Sequence, residues 1–280
     1  MANLLEGRLI AEEIKEGLRR QIQGLAVKPV LASLLAGNNA GAETYVRSQK
    51  KTAESIGIEY KLHKLDADIK EDDLIELIKR LNSDKSVNGI IVQMPLPNGI
   101  DYRKISRCII PQKDVEGMHP DNLGKLLFGK ATILPCTPAA VMELLRVTGL
   151  DLYGKEVVVV GHSEIVGKPL SLLLLEKFAT VTVAHIGTSQ AGKLQDHIRR
   201  AEVLIVAVGK AGLIRGEWIK DGAIVIDVGI NRVGDKIVGD VEFEAAERRA
   251  AYITPVPGGV GPLTVTMLMR NLIEAVRLQL

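Results

Sequence analysis

A chain of 280 residues, 46% of them hydrophobic, has ample apolar material for one large domain or two of ordinary size. Its 36 basic and 34 acidic residues leave a formal charge of +2, spread along the chain, which argues against a nucleic-acid partner with its need for a basic stripe. The two cysteines, Cys108 and Cys136, have no C-x-x-C neighbours; they fit a reducing compartment and give no support to a redox or metal site.

The N-terminus, MANLLEGRLIAEEIKEGL, becomes charged at once and lacks the apolar core of a signal peptide. The greasiest run, PLSLLLLEKF at 169–178, is too short to span a bilayer, so a cytoplasmic protein away from membranes is expected. PVLASLLAG (29–37) reads as a buried strand ending in glycine, and 43–56 as the helix after it. On that helix Tyr45 and Gln49 share a face, one turn apart, whereas Lys50 and Lys51 are rotated away. Taken alone, this stretch favours a plain surface helix over the wall of a site. EYKLHKLD (59–66) predicts a second strand. EDDLIELIKRLNSD has acidic residues in its first turn and apolar ones at 74, 77, 78 and 81, which is helix spacing. VNGIIVQMPLP (87–97) is a strand running into a proline-punctuated loop. Three strand-helix units in a row predict a parallel sheet with helices on both faces.

From 106 to 138 turn formers dominate, and loops of such length usually have a job or join domains. TPAAVMELLRVTG then predicts a helix, with Thr137 as its cap and Pro138 in the first turn. EVVVVG, TVTVAH, EVLIVAVG and GAIVIDVG come next as near-continuous apolar runs, the pattern of strands buried on both faces. TVTMLMRNLIEAVRLQ closes the chain as a helix. The fold class expected is α/β in two lobes with a cleft between them, one over 1–137 and the other over 138–264.

VVVVGHSEIVGKPL (157–170) carries the strongest local signal. A buried strand runs into Gly161, a tight turn comes next, and Gly167 falls in the first turns of a helix, with Ser163 where a dinucleotide fingerprint usually has its second glycine. Such a turn holds a pyrophosphate on backbone N–H groups at a helix N-terminus; alone, it is nearly as compatible with a plain βα turn. Glycines recur in AVGKAG and DVGIN, at the carboxyl ends of later strands, where open α/β sheets bind ligands. Asp227 ends a buried strand and needs a polar partner. TPVPGGVGPLT (254–264), with three prolines and three glycines, reads as a rigid loop that other groups approach closely.

VQMPLP, KDVEGMHPDNLG, PCTP, GHSEIVGKP, AVGK, GAIVIDVGIN, GDV and YITPVPGGVGPLT occur in an order that resembles the methylenetetrahydrofolate dehydrogenase/cyclohydrolase family over nearly the whole chain. The resemblance implies an N-terminal folate lobe, a C-terminal Rossmann-type dinucleotide lobe, a last helix (265–280) returning to the first lobe, a homodimer, and no metal. It places catalysis on Tyr45, Gln49, Gln93 and Glu116, with the folate contacting Tyr45, Gln93, Pro95, Leu96, Asp114, Glu116, Pro257, Gly258 and Gly259. It places the dinucleotide on Gly161, His162, Ser163, Ile165, Val166 and Gly167, and on His185, Val208, Gly209, Gly229 and Ile230 at later strand ends.

Two family positions are altered. The motif lysine of the hydrolytic step is here Gln49, and the pterin-binding aspartate is Glu116. The expected activity is therefore oxidation of 5,10-methylenetetrahydrofolate to the methenyl form, with cyclohydrolase activity weak or lost. An ordinary bifunctional enzyme and a non-catalytic binding homologue are the competing expectations. NADP-using relatives commonly have an arginine after the first glycine of the turn; here it is His162, with Ile186 at the next strand end, so NADP is favoured by family habit and NAD is its rival.

Overall fold

The computed structural model describes residues 1–280. They divide into two compact units, one made of Glu13–Cys136 with Val265–Leu280, the other of Met1–Glu12 with Thr137–Thr264. The chain starts with β1 (Asn3–Leu4) and α1 (Gly7–Gln23). The N-terminal unit then runs β2 (Val30–Ala36), α2 (Ala40–Ser55), β3 (Glu59–Leu65), α3 (Glu71–Ser83), β4 (Gly89–Val92), α4 (Tyr102–Cys108) and α5 (Pro120–Leu127). Its sheet is parallel, in the order β3-β2-β4, and every residue of the central β2 is buried.

The period-two alternation of these strands sorts their side chains between two cores. Leu31, Leu35, Tyr60 and Ile91 pack with Ala42, Val46 and Ala53 of α2. Val30, Ala32, Leu34, Ile90 and Val92 pack on the other side with Leu74, Ile78 and Leu81 of α3. By the same parity Ser33 and Gln93 fall on the α2 side, where the candidate site forms. Lys113, only 4% exposed, donates from Nζ to the carbonyls of Leu81, Asn82 and Asp84 at 2.9, 2.8 and 2.7 Å, and so closes the C-terminal end of α3.

The C-terminal unit follows with α6 (Cys136–Val147), β5 (Glu156–Val160), α7 (Gly167–Leu175), β6 (Thr180–Ala184), α8 (Ile186–Gln190), α9 (Leu194–Arg200), β7 (Val203–Val206) and β8 (Ile224–Asp227). It continues with β9 (Asn231–Val233), β10 (Lys236–Val238), α10 (Phe243–Glu247), β11 (Tyr252–Ile253) and α11 (Val260–Gln279). Six strands form a parallel sheet in the order β1-β11-β8-β7-β5-β6, and β9 with β10 makes a separate antiparallel pair. Val265–Leu280 belongs to the N-terminal unit, where Val265, Leu268, Met269, Leu272 and Ile273 join the α2-side core.

Several boundaries differ from the sequence expectation. Met1–Glu12 groups with the C-terminal unit, because β1 pairs with β11 through Asn3↔Tyr252 and Leu4↔Ile253. The turn-rich 106–138 region contains α5, whose start is set by His119, accepting from the Asp121 N–H at 3.0 Å, and by Pro120 in the first turn. TVTVAH is the edge strand β6 and is partly exposed rather than buried on both faces. Helix α6 starts at Cys136, so Thr137 lies inside it rather than capping it, and α11 takes Val260–Thr264 out of the expected loop. No helix is long and apolar enough to cross a membrane.

Candidate active site

In the N-terminal unit the α2 face converges on a closed polar network. Gln49 is fully buried, and its Oε1 accepts from the Tyr60 hydroxyl at 2.8 Å and from Gln93 Nε2 at 2.8 Å. Gln93 Nε2 also donates to Ser33 Oγ at 3.0 Å, and Gln49 Nε2 donates back to Gln93 Oε1 at 3.4 Å. Tyr45, one turn before Gln49 on α2, exposes 38% of its surface. No member of the network titrates near neutrality: two are amides, one is a serine, and burial pushes the Tyr60 hydroxyl up to about 12. Lys50, the nearest basic residue in sequence, points elsewhere, exposed and 3.8 Å from Glu54 one turn on.

A second cluster surrounds Glu116. The segment before it lies along β4, where the Ile90 N–H donates to the Lys113 carbonyl at 2.8 Å. Asp114 is buried, and its Oδ2 accepts from the His119 N–H at 2.7 Å and from Asn122 Nδ2 at 2.9 Å. That oxygen is engaged within the protein, where it holds the loop. Glu116 is half-buried and hydrogen-bonded to the Tyr102 hydroxyl and the backbone of Val92. Burial, and then the Asp114 carboxylate, push its carboxyl up to about 8. The Tyr45 hydroxyl and the Cys136 thiol are also raised, each chiefly by burial and also by Glu116, which groups Tyr45, Glu116 and Cys136 in one neighbourhood. Pro95 and Leu96 follow β4, with the Met94–Pro95 peptide cis.

Tyr60, Ser33, Tyr102 and Cys136 were not among the site residues expected from sequence. Strand parity could have placed Ser33, Tyr60 and Gln93 on one sheet face, but their meeting with α2 depends on tertiary packing.

In the C-terminal unit, β5 ends at Gly161, whose φ is +129°. A Cβ on Gly161 would stand 2.4 Å from the Ala207 carbonyl oxygen, and one on Gly167 2.1 Å from that of Gly161. The glycines thus press backbone on backbone, and α7 starts directly over the end of β5. Ser163 Oγ accepts from the Val166 N–H at 3.1 Å and fixes the turn. His162 and His185 face each other with ring centroids 5.1 Å apart; His185 caps α8, its Nδ1 accepting from the Gly187 N–H at 3.2 Å. Ile165, Val208 and Ile230, in the expected set, are exposed with Ile186 just beyond successive strand ends. An N-terminal helix end over a glycine turn, beside apolar side chains at the carboxyl edge of a parallel sheet, fits a dinucleotide's phosphates and rings.

Two carboxylates order that edge. Asp240 Oδ2 accepts from the N–H groups of Val208 and Gly209 at 2.7 and 3.0 Å; its Oδ1 accepts from the Lys210 N–H and Asn231 Nδ2, both at 2.8 Å. Asp227 Oδ1 accepts from Gly229 and Asp240 at 2.9 and 3.0 Å, and its Oδ2 from Val241 at 2.8 Å. A Cβ on Gly229 would meet the Asp240 carboxylate at 2.2 Å, and one on Gly239 the Asp227 carboxylate at 1.9 Å. Burial, with Asp240 adding to it, pushes the Asp227 carboxyl up to about 6. In the same unit the Pro257–Gly258–Gly259 turn follows a cis Val256–Pro257 peptide, and a Cβ on Gly7 would lie 1.8 Å from the Gly259 oxygen. No group of three or more histidine, cysteine or acidic residues is placed to hold a metal.

Residues 5–116 match the family model described as tetrahydrofolate dehydrogenase/cyclohydrolase, catalytic domain, and residues 135–280 the one described as tetrahydrofolate dehydrogenase/cyclohydrolase, NAD(P)-binding domain. Bifunctional protein FolD of Pelobacter propionicus is 49% identical over 281 residues, which cover 99% of this chain and 98% of that protein. The crystal structure of the bifunctional FolD methylenetetrahydrofolate dehydrogenase/cyclohydrolase of Campylobacter jejuni superposes with a TM-score of 0.96 at 44% identity, covering 100% of both chains. The Trypanosoma brucei enzyme, solved with NADP cofactor and an inhibitor, gives 0.94 at 40% identity, covering 99% of this chain and 97% of that one.

The Asp240 clamp makes a prediction for the ligand-free protein. Asp240→Asn turns an NH2 group onto backbone donors, so the Val208–Lys210 amides should lose protection at a cost of about 1–3 kcal/mol per unsatisfied group. Hydrogen-deuterium exchange of that segment checks this; unchanged protection would mean that the carboxylate does not hold the loop.

Proposed function

We propose that this chain, which belongs to the tetrahydrofolate dehydrogenase/cyclohydrolase family, is an NADP-dependent 5,10-methylenetetrahydrofolate dehydrogenase whose methenyltetrahydrofolate cyclohydrolase activity is weak or lost. The observation that carries the second half is the amide of Gln49, networked with Tyr60 and Gln93, and through Gln93 with Ser33, with no group among them that titrates near neutrality.

The two family reactions ask different things of the protein. In the first, a hydride leaves the methylene carbon between N5 and N10, driven by the nitrogen lone pairs, and a delocalised methenyl cation remains. No proton moves, so positioning and electrostatics suffice. Bound NADP supplies the hydride acceptor, held by the turn from Gly161 to Gly167 and the loops at Val208, Gly209, Gly229 and Ile230. Tyr45 flanks the pterin, and Glu116, as a carboxylate, accepts from its 2-amino and N3 hydrogens. Asp114 sets the loop that presents Glu116.

The second reaction adds water to the cation and opens the ring; the attacking water loses a proton and the leaving nitrogen gains one. General acid-base help contributes about a hundred- to ten-thousandfold to such a step. Gln49 can neither take nor give a proton near neutrality, and Lys50 is committed to the exposed face with Glu54. A bifunctional enzyme would need another base, and a non-catalytic homologue that only binds a pterin or a dinucleotide would have little reason to keep the motifs for both.

Two outcomes are expected at position 49. Wild-type protein should form methenyltetrahydrofolate with methenyl decay near the uncatalysed rate, and Gln49→Lys should raise hydrolysis relative to dehydrogenation by about tenfold. Measuring methenyl formation and decay separately checks both, and rapid decay with the wild type would overturn the reading.

The raised Glu116 carboxyl gives a pH dependence. It is protonated below about 8, the form that cannot accept both pterin hydrogens. The KM for methylenetetrahydrofolate should therefore fall by about tenfold per unit of rising pH, levelling above that value. A KM that stays flat from acid to alkaline pH would remove Glu116 from pterin binding.

On the dinucleotide, His162→Arg should raise the NADP/NAD ratio of kcat/KM by about ten- to a hundredfold, since a guanidinium offers a 2′-phosphate a permanent charge-assisted bond. An unchanged ratio would place the phosphate elsewhere.

A further inference from the structure

We infer, resting on the proposed reading of Gln49, that Tyr60 is a second specificity-determining residue of this site, whose hydroxyl tunes the position at 49 against proton transfer. It stands on β3, only 8% exposed, with its hydroxyl 2.8 Å from Gln49 Oε1. Gln93 Nε2 supplies the second donor to that oxygen, also at 2.8 Å, so both of its lone pairs are used. The space at 49 is thus shaped as an acceptor for two inward-facing donors.

A lysine there meets the opposite requirement. Its ammonium has donors only, so Tyr60 and Gln93 would both lose their acceptor and have to turn round. Its chain is also one atom longer than that of glutamine, which brings the nitrogen against the Tyr60 oxygen. Once turned, that oxygen accepts from the ammonium and favours its charged form. An amine so held gives up its proton less readily and is turned towards Tyr60, which limits what Gln49→Lys gains in hydrolysis. Phenylalanine at 60 removes the oxygen, keeps the ring volume, and leaves the amine against an apolar edge that lowers its pKa.

The test compares wild type, Gln49→Lys, Tyr60→Phe and Gln49→Lys/Tyr60→Phe. Methenyl decay is measured across pH and divided by the dehydrogenase rate of the same preparation. The double variant should hydrolyse at least about tenfold faster than Gln49→Lys, with its pH midpoint shifted to lower pH, while Tyr60→Phe alone stays at background. A double variant within about twofold of Gln49→Lys, or one whose midpoint does not move, overturns the role of Tyr60 and leaves the Gln49 reading standing. Rapid hydrolysis by the wild type overturns the Gln49 reading and takes the Tyr60 inference with it. If the phenylalanine variant is recovered without dehydrogenase activity, Gln49→Lys/Tyr60→Leu supplies the same comparison under the same criteria.

Discussion

The carboxylates of Asp227 and Asp240 lie out of water, and each is matched by N–H donors rather than by a cation. Removing a carboxylate from water costs several kcal/mol, and only a full set of hydrogen bonds offsets it. Here the set is drawn from the segments after β7, β8 and β10, and the β9–β10 pair is the detour that returns the chain so that Asp240 collects the β7 loop while the Asp240 and Val241 N–H groups reach Asp227. Gly229 and Gly239 must lack side chains because each lies against the other loop's carboxylate. The edge where the dinucleotide is proposed to bind is therefore one interlocked body, and DVGIN and GDV are two halves of a single device.

The N-terminal unit is built on a different plan. Its network is neutral and closed, each polar atom turned towards another side chain. Such an arrangement fixes geometry well and moves protons badly. A hydride transfer driven by nitrogen lone pairs asks for the first property; ring opening by water asks for the second. On the proposed reading, a single amide in place of an amine separates the two chemistries without disturbing the fold around them.

Much of this was legible in the sequence because the physics involved is local. The buried β2 and β5, the acidic start of α3 and the glycine turn before α7 each carry their own signal. The α5 helix did not stand out, being short and set among turn formers, although His119 and Pro120 mark its start. TVTVAH looked like a central strand, yet whether a strand is central or at the edge is decided by sheet order, which the run itself does not encode. Helix spacing puts Tyr45 and Gln49 on one face, but it is the family resemblance that makes that face part of a site. Neither signal reaches Tyr60 and Tyr102, since a tyrosine on a strand or at a helix start looks alike whether its hydroxyl meets water, an amide or a carboxyl.

In Lys113 one short motif mixes architecture with recognition. Its ammonium gathers three carbonyls at the end of α3, out of reach of solvent, three residues before the glutamate proposed to meet the pterin. A scan that scored KDVEGM by lost turnover would rank this lysine with the chemistry, though it touches only backbone. Inheritance of the whole motif then says less about reaction type than its length suggests. Divergence of activity within such a scaffold is free to act through side chains that meet the ligand, while the lysine beside them stays fixed by the helix it closes.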